Sequence, residues 1–166
     1  MATEEEKFKE RLIYPFTAFN FSVEINKTGG KELLCAAAFS DCDGLEITMD
    51  VKTIREGGNN GRQIRLTGAF NYGQVTLKRG MTANFDLWDW VSETLVNPSL
   101  RAEAQIVLLD RDRQTELAGF VLSRCLPTKI KAPTLNAKDG MVAIEELQLT
   151  YESLTLQKPP PPPKPS

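Results

Sequence analysis

Five consecutive residues suited to tight turns, Gly57-Gly58-Asn59-Asn60-Gly61, raise the question of anion binding. A phosphate-binding P-loop needs Gly-x4-Gly-Lys-Ser/Thr between a strand and a helix, so that backbone N–H groups and the helix dipole meet the anion. Here Gly61 is followed by Arg62 and Gln63, and the next element has the pattern of a strand. A dinucleotide-binding Gly-x-Gly-x-x-Gly is absent too. Nucleotide binding is therefore not expected, which leaves an active-site loop or a contact with another protein chain.

Residue types that carry catalysis or bind metals are scarce or poorly placed. The chain has no histidine, which excludes imidazole-based triads and zinc sites that need His. Its three cysteines form no Cys-x-x-Cys pair, so reduced thiols are expected, with Cys35 as a small core residue. The carboxylate pairs are Asp41 with Asp43, Asp86 with Asp89, and Glu145 with Glu146. Nothing fixes a catalytic geometry for them, so we expect solvated carboxylates and no catalytic, cofactor or metal site.

Composition places the chain among ordinary globular proteins. Its 166 residues favour one domain with one sizeable core. A net charge of −2 predicts neither sequence-specific nucleic-acid binding nor attraction to anionic membranes. No apolar run reaches the roughly 18–20 residues of a membrane helix, so stable membrane insertion is not expected. The charged start lacks the apolar centre of a signal peptide, and we expect synthesis in the cytoplasm.

Alternation of apolar and polar residues predicts that most of the chain is β-strand. The clearest cases are 19–26 and 45–52, each with one apolar face. Turns are predicted at 26–30 and 41–44, and a polar hairpin tip at 110–114. The predicted strands are 19–26, 33–40, 45–52, a short strand around 64–66, 74–78, 104–110, 117–124 and 141–154. The predicted fold class is mainly antiparallel β, with one helix.

The helix is predicted at about residues 84–96, where the hydrophobic period changes. Its apolar residues lie four apart: Leu87, Val91 and Leu95, with Trp88 on the same side. Asn84 is the predicted N-cap. Trp88 is therefore assigned to the core, whereas Trp90 faces another direction. If exposed, Trp90 would anchor an interface, because Trp is enriched at binding hot spots.

The last predicted strand, 141–154, changes phase along its length. The apolar positions shift by one, from Val142 and Ile144 to Leu147, Leu149 and Tyr151. Such a shift predicts a bulge or bend near Glu145-Glu146, since half the strand would otherwise face the wrong way.

The chain divides into three segments by composition. Residues 1–13 form a charged N-terminal arm, 14–156 the β domain, and 157–166 a proline-rich C-terminal tail. The tail is expected to be extended polyproline II, because proline lacks the N–H donor that a sheet needs.

Two strand segments, 106–109 and 33–39, are apolar on both faces. A sheet with one solvated face shows apolar residues only at alternate positions. One helix offers little cover for both faces, so another chain could supply the rest.

Several stretches, in this order and spacing, resemble the tube proteins of contractile tails. They are "TIREGG", "LTGAFNYGQVTLKRGMT", "LWDWVSETL", "IVLLDRD" and "LNAKDGMVAIEELQLTYESL". The resemblance covers about residues 16–154. The family comprises inner tubes of contractile-tailed phages and of extracellular contractile injection systems, and is related to the haemolysin-coregulated protein of type VI secretion.

The resemblance implies a β-barrel or sandwich of tail-tube type that forms hexameric rings, stacked into a hollow conduit inside a contractile sheath. It implies no catalytic site, and partners that are the chain itself, adjacent rings, the sheath and the spike or baseplate hub. The subunit would belong to a virion or to a tail-like particle released from the cell. The stretch 54–66 would be a contact arm, with glycines that allow close backbone approach. The predicted inter-subunit contacts are Ile54, Arg55, Glu56, Gly57, Gly58, Asn59, Asn60, Gly61, Arg62, Lys78, Arg79 and Trp90.

The chain also departs from the usual tube pattern. Ile54 stands where an aromatic residue is common, Thr67 where a proline is common, and Leu126 where a tryptophan is common. Together with the charged arm and the proline-rich tail, these departures suggest a specialised tube protein. A tube initiator that joins the baseplate hub to the main tube and a bulk tube subunit both remain open. The alternative from another class is a monomeric β-barrel that carries a small ligand in its interior.

Overall fold

The computed structural model describes residues 15–58 and 61–159. Within these ranges the chain forms ten strands and one helix, which confirms the predicted fold class. The elements are β1 Phe21–Lys27, β2 Leu33–Ala37, β3 Asp41–Asp43, β4 Ile47–Arg55, β5 Gln63–Tyr72, β6 Gln74–Gly80, α1 Asp86–Val96, β7 Ala102–Leu109, β8 Glu116–Lys131, β9 Ile144–Thr150 and β10 Ser153–Gln157. Strand β10 ends at Gln157, one residue into the predicted tail.

Eight strands form one antiparallel sheet in the order β2-β1-β7-β8-β9-β6-β3, with β10 also paired to β8. Strand β8 joins two layers: Leu122 pairs with β7 and β10, whereas Leu126 pairs with β9. Between them Arg124 has a φ of 52°, a left-handed conformation that marks the bend. Among the described residues, the terminal strands β2 and β3 do not pair with each other. The fold is therefore sandwich-like and not a closed barrel.

The hydrophobic core lies between the layers of this folded sheet. Alternate residues of β6 and β9 point inward, among them Val75, Leu77, Leu147 and Leu149. The remaining buried core residues are Val23, Ile25, Cys35, Phe39, Leu87, Trp90, Ala102, Ala104, Ile106, Leu122, Cys125 and Tyr151. The two-faced apolar segment of β7 is largely covered within the subunit, since Ile106 and Val107 are both buried.

Two local predictions were wrong in ways that share a cause. The predicted turn at 41–44 is largely an edge strand, β3, in which Asp41 pairs with Lys78. The strand ends before Gly44, which has a φ of 99°. The predicted bulge near Glu145 does not exist: β9 is continuous there, and the interruption comes between β9 and β10. Both predictions assumed that acidic side chains are absent from strands or from their inner faces, whereas Asp41 and Asp43 lie in β3 and Glu145 points inward from β9.

The helix α1 is rotated relative to the predicted face. Trp90 is 1% exposed and lies in the core, whereas Leu95 is 78% exposed. The inward-facing stripe is spaced by three and four residues: Leu87 and Trp90 are buried, and Val91 and Thr94 are half-buried. Trp88 is half-buried and its indole N–H donates to Glu145 Oε2 at 2.9 Å, so it flanks the core. Asn84 accepts a hydrogen bond from the Asp86 N–H at 3.2 Å, one residue ahead of the cap position at Phe85.

No helix in the described part of the chain has the length and apolar character needed to cross a membrane.

Candidate subunit interface

Strands β4 and β5 form a hairpin that stands apart from the rest of the sheet. Among the described residues, they pair only with each other, as a separate two-stranded sheet. All nine residues of β4 are exposed, as are most residues of β5. At 3.3–3.4 Å per residue, the hairpin extends about 30 Å. An isolated two-stranded hairpin is at best marginally stable in water, so this one needs something to pack against.

The base of the hairpin is held firmly by Tyr151, the residue that follows β9. The Tyr151 hydroxyl lies 3.0 Å from the carbonyl oxygens of Gly44 and Glu46 and accepts the Glu46 N–H at 3.1 Å. Its ring packs against Tyr72, the last residue of β5, with centroids 5.7 Å apart. The Gly73 N–H also donates to the Glu46 carbonyl at 3.3 Å. Both strands therefore leave the body from fixed points.

The register of the hairpin changes at its middle. Met49 pairs with Phe70, but Val51 pairs with Thr67, so three steps along β5 oppose two steps along β4. The extra residue forms a β-bulge next to Gly68. A Cβ added to Gly68 would lie 2.3 Å from the Asp50 carbonyl oxygen, so no larger residue fits without moving the backbone. Gly68 thus permits the bulge.

Near the body, one face of the hairpin is apolar and exposed. We call it the base face: Ile47, Met49, Val51 and Phe70. Alternation along β4 puts the first three on one side, and Phe70 joins them because paired residues share a side. Phe70 is 59% exposed and Val51 is 53% exposed. The other side is polar here, with the Asn71 amide donating to Asp50 Oδ2 at 3.0 Å.

Beyond the bulge, the apolar residues lie on the opposite side. We call this the tip face: Ile54, Ile64 and Leu66. Ile54 pairs with Ile64, and Leu66 pairs with Lys52, two residues from Ile54 along β4. Ile54 and Leu66 are exposed, and Ile64 is half-buried. Since Val51 and Ile54 are three residues apart on a regularly alternating strand, they face opposite sides.

The predicted contact arm corresponds to the tip of this hairpin. Ile54 and Arg55 end β4, and Glu56, Gly57, Gly58, Gly61 and Arg62 are all exposed in the connection to β5. Asn59 and Asn60 lie outside the described residues. Gly58 has a φ of 97°, the left-handed conformation that glycine adopts without a steric penalty. The structure therefore gathers these predicted residues at one exposed site, and their contact with another chain stays a prediction.

The hairpin is basic, while the rest of the described chain is acidic. Residues 47–72 carry four basic and two acidic side chains, a net charge of +2. The basic side chains are Lys52, Arg55, Arg62 and Arg65. Residues 15–46 and 73–159 together carry twelve basic and sixteen acidic side chains, a net charge of −4. Across the described residues, none of the hairpin's basic side chains forms an ion pair.

Arg79 and Trp90 were also predicted to contact a neighbour, and the structure corrects both. Trp90 belongs to the core described above. Arg79 follows the inward phase of β6 and is 3% exposed, directly opposite Glu145 in the β6–β9 register. Its Nε lies 2.6 Å from Glu145 Oε1, and its Nη2 lies 2.6 Å from Asp86 Oδ1. These side chains are used within the subunit. Lys78, the remaining predicted contact, is half-buried on β6.

Arg79, Asp86 and Glu145 form a cluster, called here the Arg79 cluster, that links the start of the helix to both layers. Arg79 Nη2 also donates to the Asn84 carbonyl at 3.1 Å, and its guanidinium lies 5.7 Å from the centre of the Phe39 ring. Burial lowers the pKa of Arg79, but hydrogen bonds to Asp86 and Glu145 outweigh it, so the pKa is raised overall. Glu145 is 1% exposed, which makes the prediction of a solvated carboxylate wrong at this position. Its two oxygens are taken by Arg79 and Trp88.

The cysteines match the prediction of reduced core thiols. All three are free, with Cys35 and Cys125 buried and Cys42 half-buried. Burial raises the pKa of Cys35 and of Cys125 to about 12, and that of Cys42 to about 11. These thiols stay protonated at neutral pH and are poor nucleophiles. In the described part of the chain, no group of three or more Cys, Asp or Glu side chains could hold a metal ion.

Sequence reasoning missed the base face. The alternation of Ile47, Met49 and Val51 was interpreted as one half-buried strand of the body, although all three are exposed. The available signal was the turn-rich stretch at 57–61 with alternating apolar residues on both sides, a pattern typical of a hairpin. The second strand is also longer than the predicted 64–66, since β5 spans Gln63–Tyr72.

The described residues form a sandwich with one helix and a projecting hairpin, and comparison with known proteins identifies the family. Residues 17–155 match the family of the T4-like virus tail tube protein gp19. This match spans most of the chain, and the protein belongs to that family. It therefore has the structural role of a tail-tube subunit. No curated protein sequence matches it significantly.

Solved structures agree on the fold. A chain of the anti-feeding prophage (AFP) baseplate, solved by cryo-EM with 6-fold symmetrisation, is 26% identical, with a TM-score of 0.78 over 89% of this chain and 98% of that one. A chain of the extended sheath–tube complex of an extracellular contractile injection system, PVC, is 22% identical, with a TM-score of 0.76 over 91% and 97%. A chain of the AFP tube-terminating cap is 22% identical, with a TM-score of 0.75 over 89% and 93%.

Proposed function

We propose that this protein forms hexameric rings in the tube of a contractile injection system or phage tail, and that its β4–β5 hairpin is the arm that joins neighbouring subunits. The carrying observation is the hairpin itself, two long strands with apolar residues exposed on both faces and a firmly anchored base. Exposed apolar patches rimmed by charge are typical of protein–protein contacts. The 6-fold symmetrised baseplate that contains a similar chain supports the ring size.

Within that class, we assign the chain to the tube initiator, where the tube meets the baseplate hub. The similarity to the baseplate chain, at 26% identity, exceeds the 22% found with the sheath–tube and cap chains. The departures from the usual tube pattern at Ile54, Thr67 and Leu126 point the same way. The expected partners are other copies of the chain, adjacent rings, the hub and the sheath. The expected place of synthesis is the cytoplasm, followed by incorporation into a particle.

The alternative of a monomeric ligand carrier has less support. A carrier needs an internal cavity, but the space between the layers is filled by core side chains such as Ile25, Leu77, Trp90 and Leu149. We also propose that the role is structural without catalysis, in keeping with the family and with buried, protonated thiols.

Two measurements test this proposal. Native mass spectrometry of the purified chain should show a hexamer at high concentration, because ring formation is driven by mass action. A species that stays monomeric at every accessible concentration would contradict the ring and favour the carrier. Cryo-EM of the complete particle then locates the copies. An initiator is confined to the rings beside the baseplate, whereas a bulk subunit repeats along the whole tube.

A further inference from the structure

The apolar residues of the hairpin change sides at the bulge. The base face (Ile47, Met49, Val51 and Phe70) and the tip face (Ile54, Ile64 and Leu66) lie on opposite sides of the hydrogen-bonded strand pair. The reverse sides are polar: Thr48 and Asn71 behind the base face, and Thr53 and Gln63 behind the tip face. Both halves are therefore amphipathic ribbons, but with opposite orientation.

The change of sides requires a break in the regular strand pairing, which is the bulge between the Met49–Phe70 and Val51–Thr67 pairs. Gly68 is required at the bulge, because a Cβ there would meet the Asp50 carbonyl oxygen at 2.3 Å. A hairpin that presents one continuous apolar side needs no such exchange, because simple alternation keeps apolar residues on one face. The bulge thus separates two contact surfaces along a single element.

One flat partner surface covers one side of a ribbon. Packed layers lie about 10 Å apart, so a body seated on the base face is separated from the tip face by the ribbon itself. Burying both faces requires two bodies, one on each side, or one body that wraps around the hairpin edge. Near the tip, Arg55 and Arg65 lie on the polar reverse side, paired with Gln63 and Thr53. A single body that wrapped around the hairpin there would have to cover these charged side chains, which is costly unless each finds a partner.

The charge distribution indicates which partners could cover the two faces of the hairpin. The hairpin carries +2, and the described remainder of the same chain carries −4. The acidity is concentrated in residues 15–46, which carry two basic and five acidic side chains. A basic arm on an acidic body is complementary between copies, and such head-to-tail contacts can close a ring.

We propose that each hairpin lies between two different copies of this chain, with the base face against one and the tip face against the other. This inference rests on the proposed tube function. It specifies that the hairpin links three subunits, so that the two faces serve two separate steps of assembly: closure of a ring and joining of one ring to the next.

The test uses two matched pairs of variants in the full chain. Phe70→Asp charges the base face, and Leu66→Asp charges the tip face. Thr48→Asp and Thr53→Asp place the same charge on the polar reverse sides. All four positions are exposed in the subunit, so circular dichroism and thermal midpoints should match those of the wild type. If an Asp variant unfolds, Phe70→Ser and Leu66→Ser replace it.

Assembly is then followed by native mass spectrometry and negative-stain electron microscopy. Phe70→Asp and Leu66→Asp should stop at two different stages, one as monomers and the other as rings that do not stack, while both controls assemble fully. Arrest of both variants at the same stage would overturn the inference and leave the tube function standing, because one partner would then cover both faces. Normal assembly of either variant would overturn it as well. A wild-type chain that never forms rings would refute the tube function and the inference together.

Discussion

Two regions of this subunit invert the usual distribution of polar and apolar side chains. In the Arg79 cluster, charged residues are buried: Arg79 and Glu145 are nearly inaccessible, and each polar atom has a partner within the chain. In the β4–β5 hairpin, apolar residues are exposed and have no cover from the described part of the chain. The first inversion is complete within one subunit. In the proposed assembly, the second is completed by other copies of the chain that cover the exposed apolar residues.

The largest effect on the subunit should come from Trp90→Ala. Removal of a fully buried Trp leaves a cavity and should lower the free energy of unfolding by about 3–5 kcal/mol. Leu95→Ala, on the same helix but exposed, should change it by less than about 0.5 kcal/mol. Urea denaturation measures both. If Leu95→Ala were the more damaging substitution, the helix orientation would be wrong.

Arg79→Met tests the buried half of the comparison. It leaves Glu145 and Asp86 inside without their cation, and loss of one partner of a buried pair costs about 3–5 kcal/mol. Arg124→Met is the matched control, because Arg124 pairs with Glu152 at 2.8 Å on the surface, where such pairs contribute about 0–1 kcal/mol. Equal losses from the two substitutions would show that the Arg79 cluster is not structurally special.

Gly58→Val and Arg55→Glu test the other region of the comparison, the exposed β4–β5 hairpin. Gly58→Val opposes the positive φ of the tip, and Arg55→Glu places like charge against an acidic partner surface. Each subunit should keep its thermal midpoint within a few degrees, while light scattering shows loss of rings and tubes. Normal assembly by both variants would remove the tip of the hairpin from the interface.

Thiol labelling should be slow in the folded subunit. The raised pKa values of Cys35 and Cys125, about 12, keep both thiols neutral up to high pH, and burial blocks access. Alkylation of folded protein at pH 8 should leave these two unmodified, whereas the chain in denaturant should react at all three cysteines. Labelling of the folded chain that accelerates as pH rises through 9, the ordinary thiol value, would contradict a buried environment.

The smallest effect should follow deletion of residues 158–166. The segment contributes no core residue among the described positions, and its prolines cannot join a sheet. The thermal midpoint should not move. A fall of many degrees would show that the tail stabilises the domain. Loss of assembly with an unchanged midpoint would instead assign the tail to a partner contact.

Most strands could be predicted from sequence because their apolar and polar residues alternate, as in β1 and β4. The errors occurred where a polar residue holds an inward position. Glu145 continues the buried phase of Leu147 and Leu149, and its partner Arg79 lies 66 residues away in sequence. No local pattern reveals a long-range ion pair, so the strand was given a bulge that it lacks. The assignment of Trp88 instead of Trp90 to the core was wrong for a similar reason. The Trp88 indole donates to the buried Glu145 at the margin of the core, a long-range contact that no local pattern reveals.

The position of the exposed hairpin tip could be predicted from the sequence, whereas the form of the hairpin could not; its contact with another chain stays a prediction. The glycine-rich stretch at 57–61 marked the tip, and the resemblance to tube proteins gave it a role. The two-sided arrangement could not be predicted, because it depends on the bulge at Gly68 and on the resulting pairing of Val51 with Thr67. Register across a hairpin is a property of both strands together.

A cryo-EM map of the assembled wild-type chain tests the central claim most directly. The account predicts six-fold rings in which the hairpin of every copy is buried between other copies, with Phe70 and Leu66 both removed from solvent. Rings or tubes in which the β4–β5 hairpin stays free in solvent would contradict it.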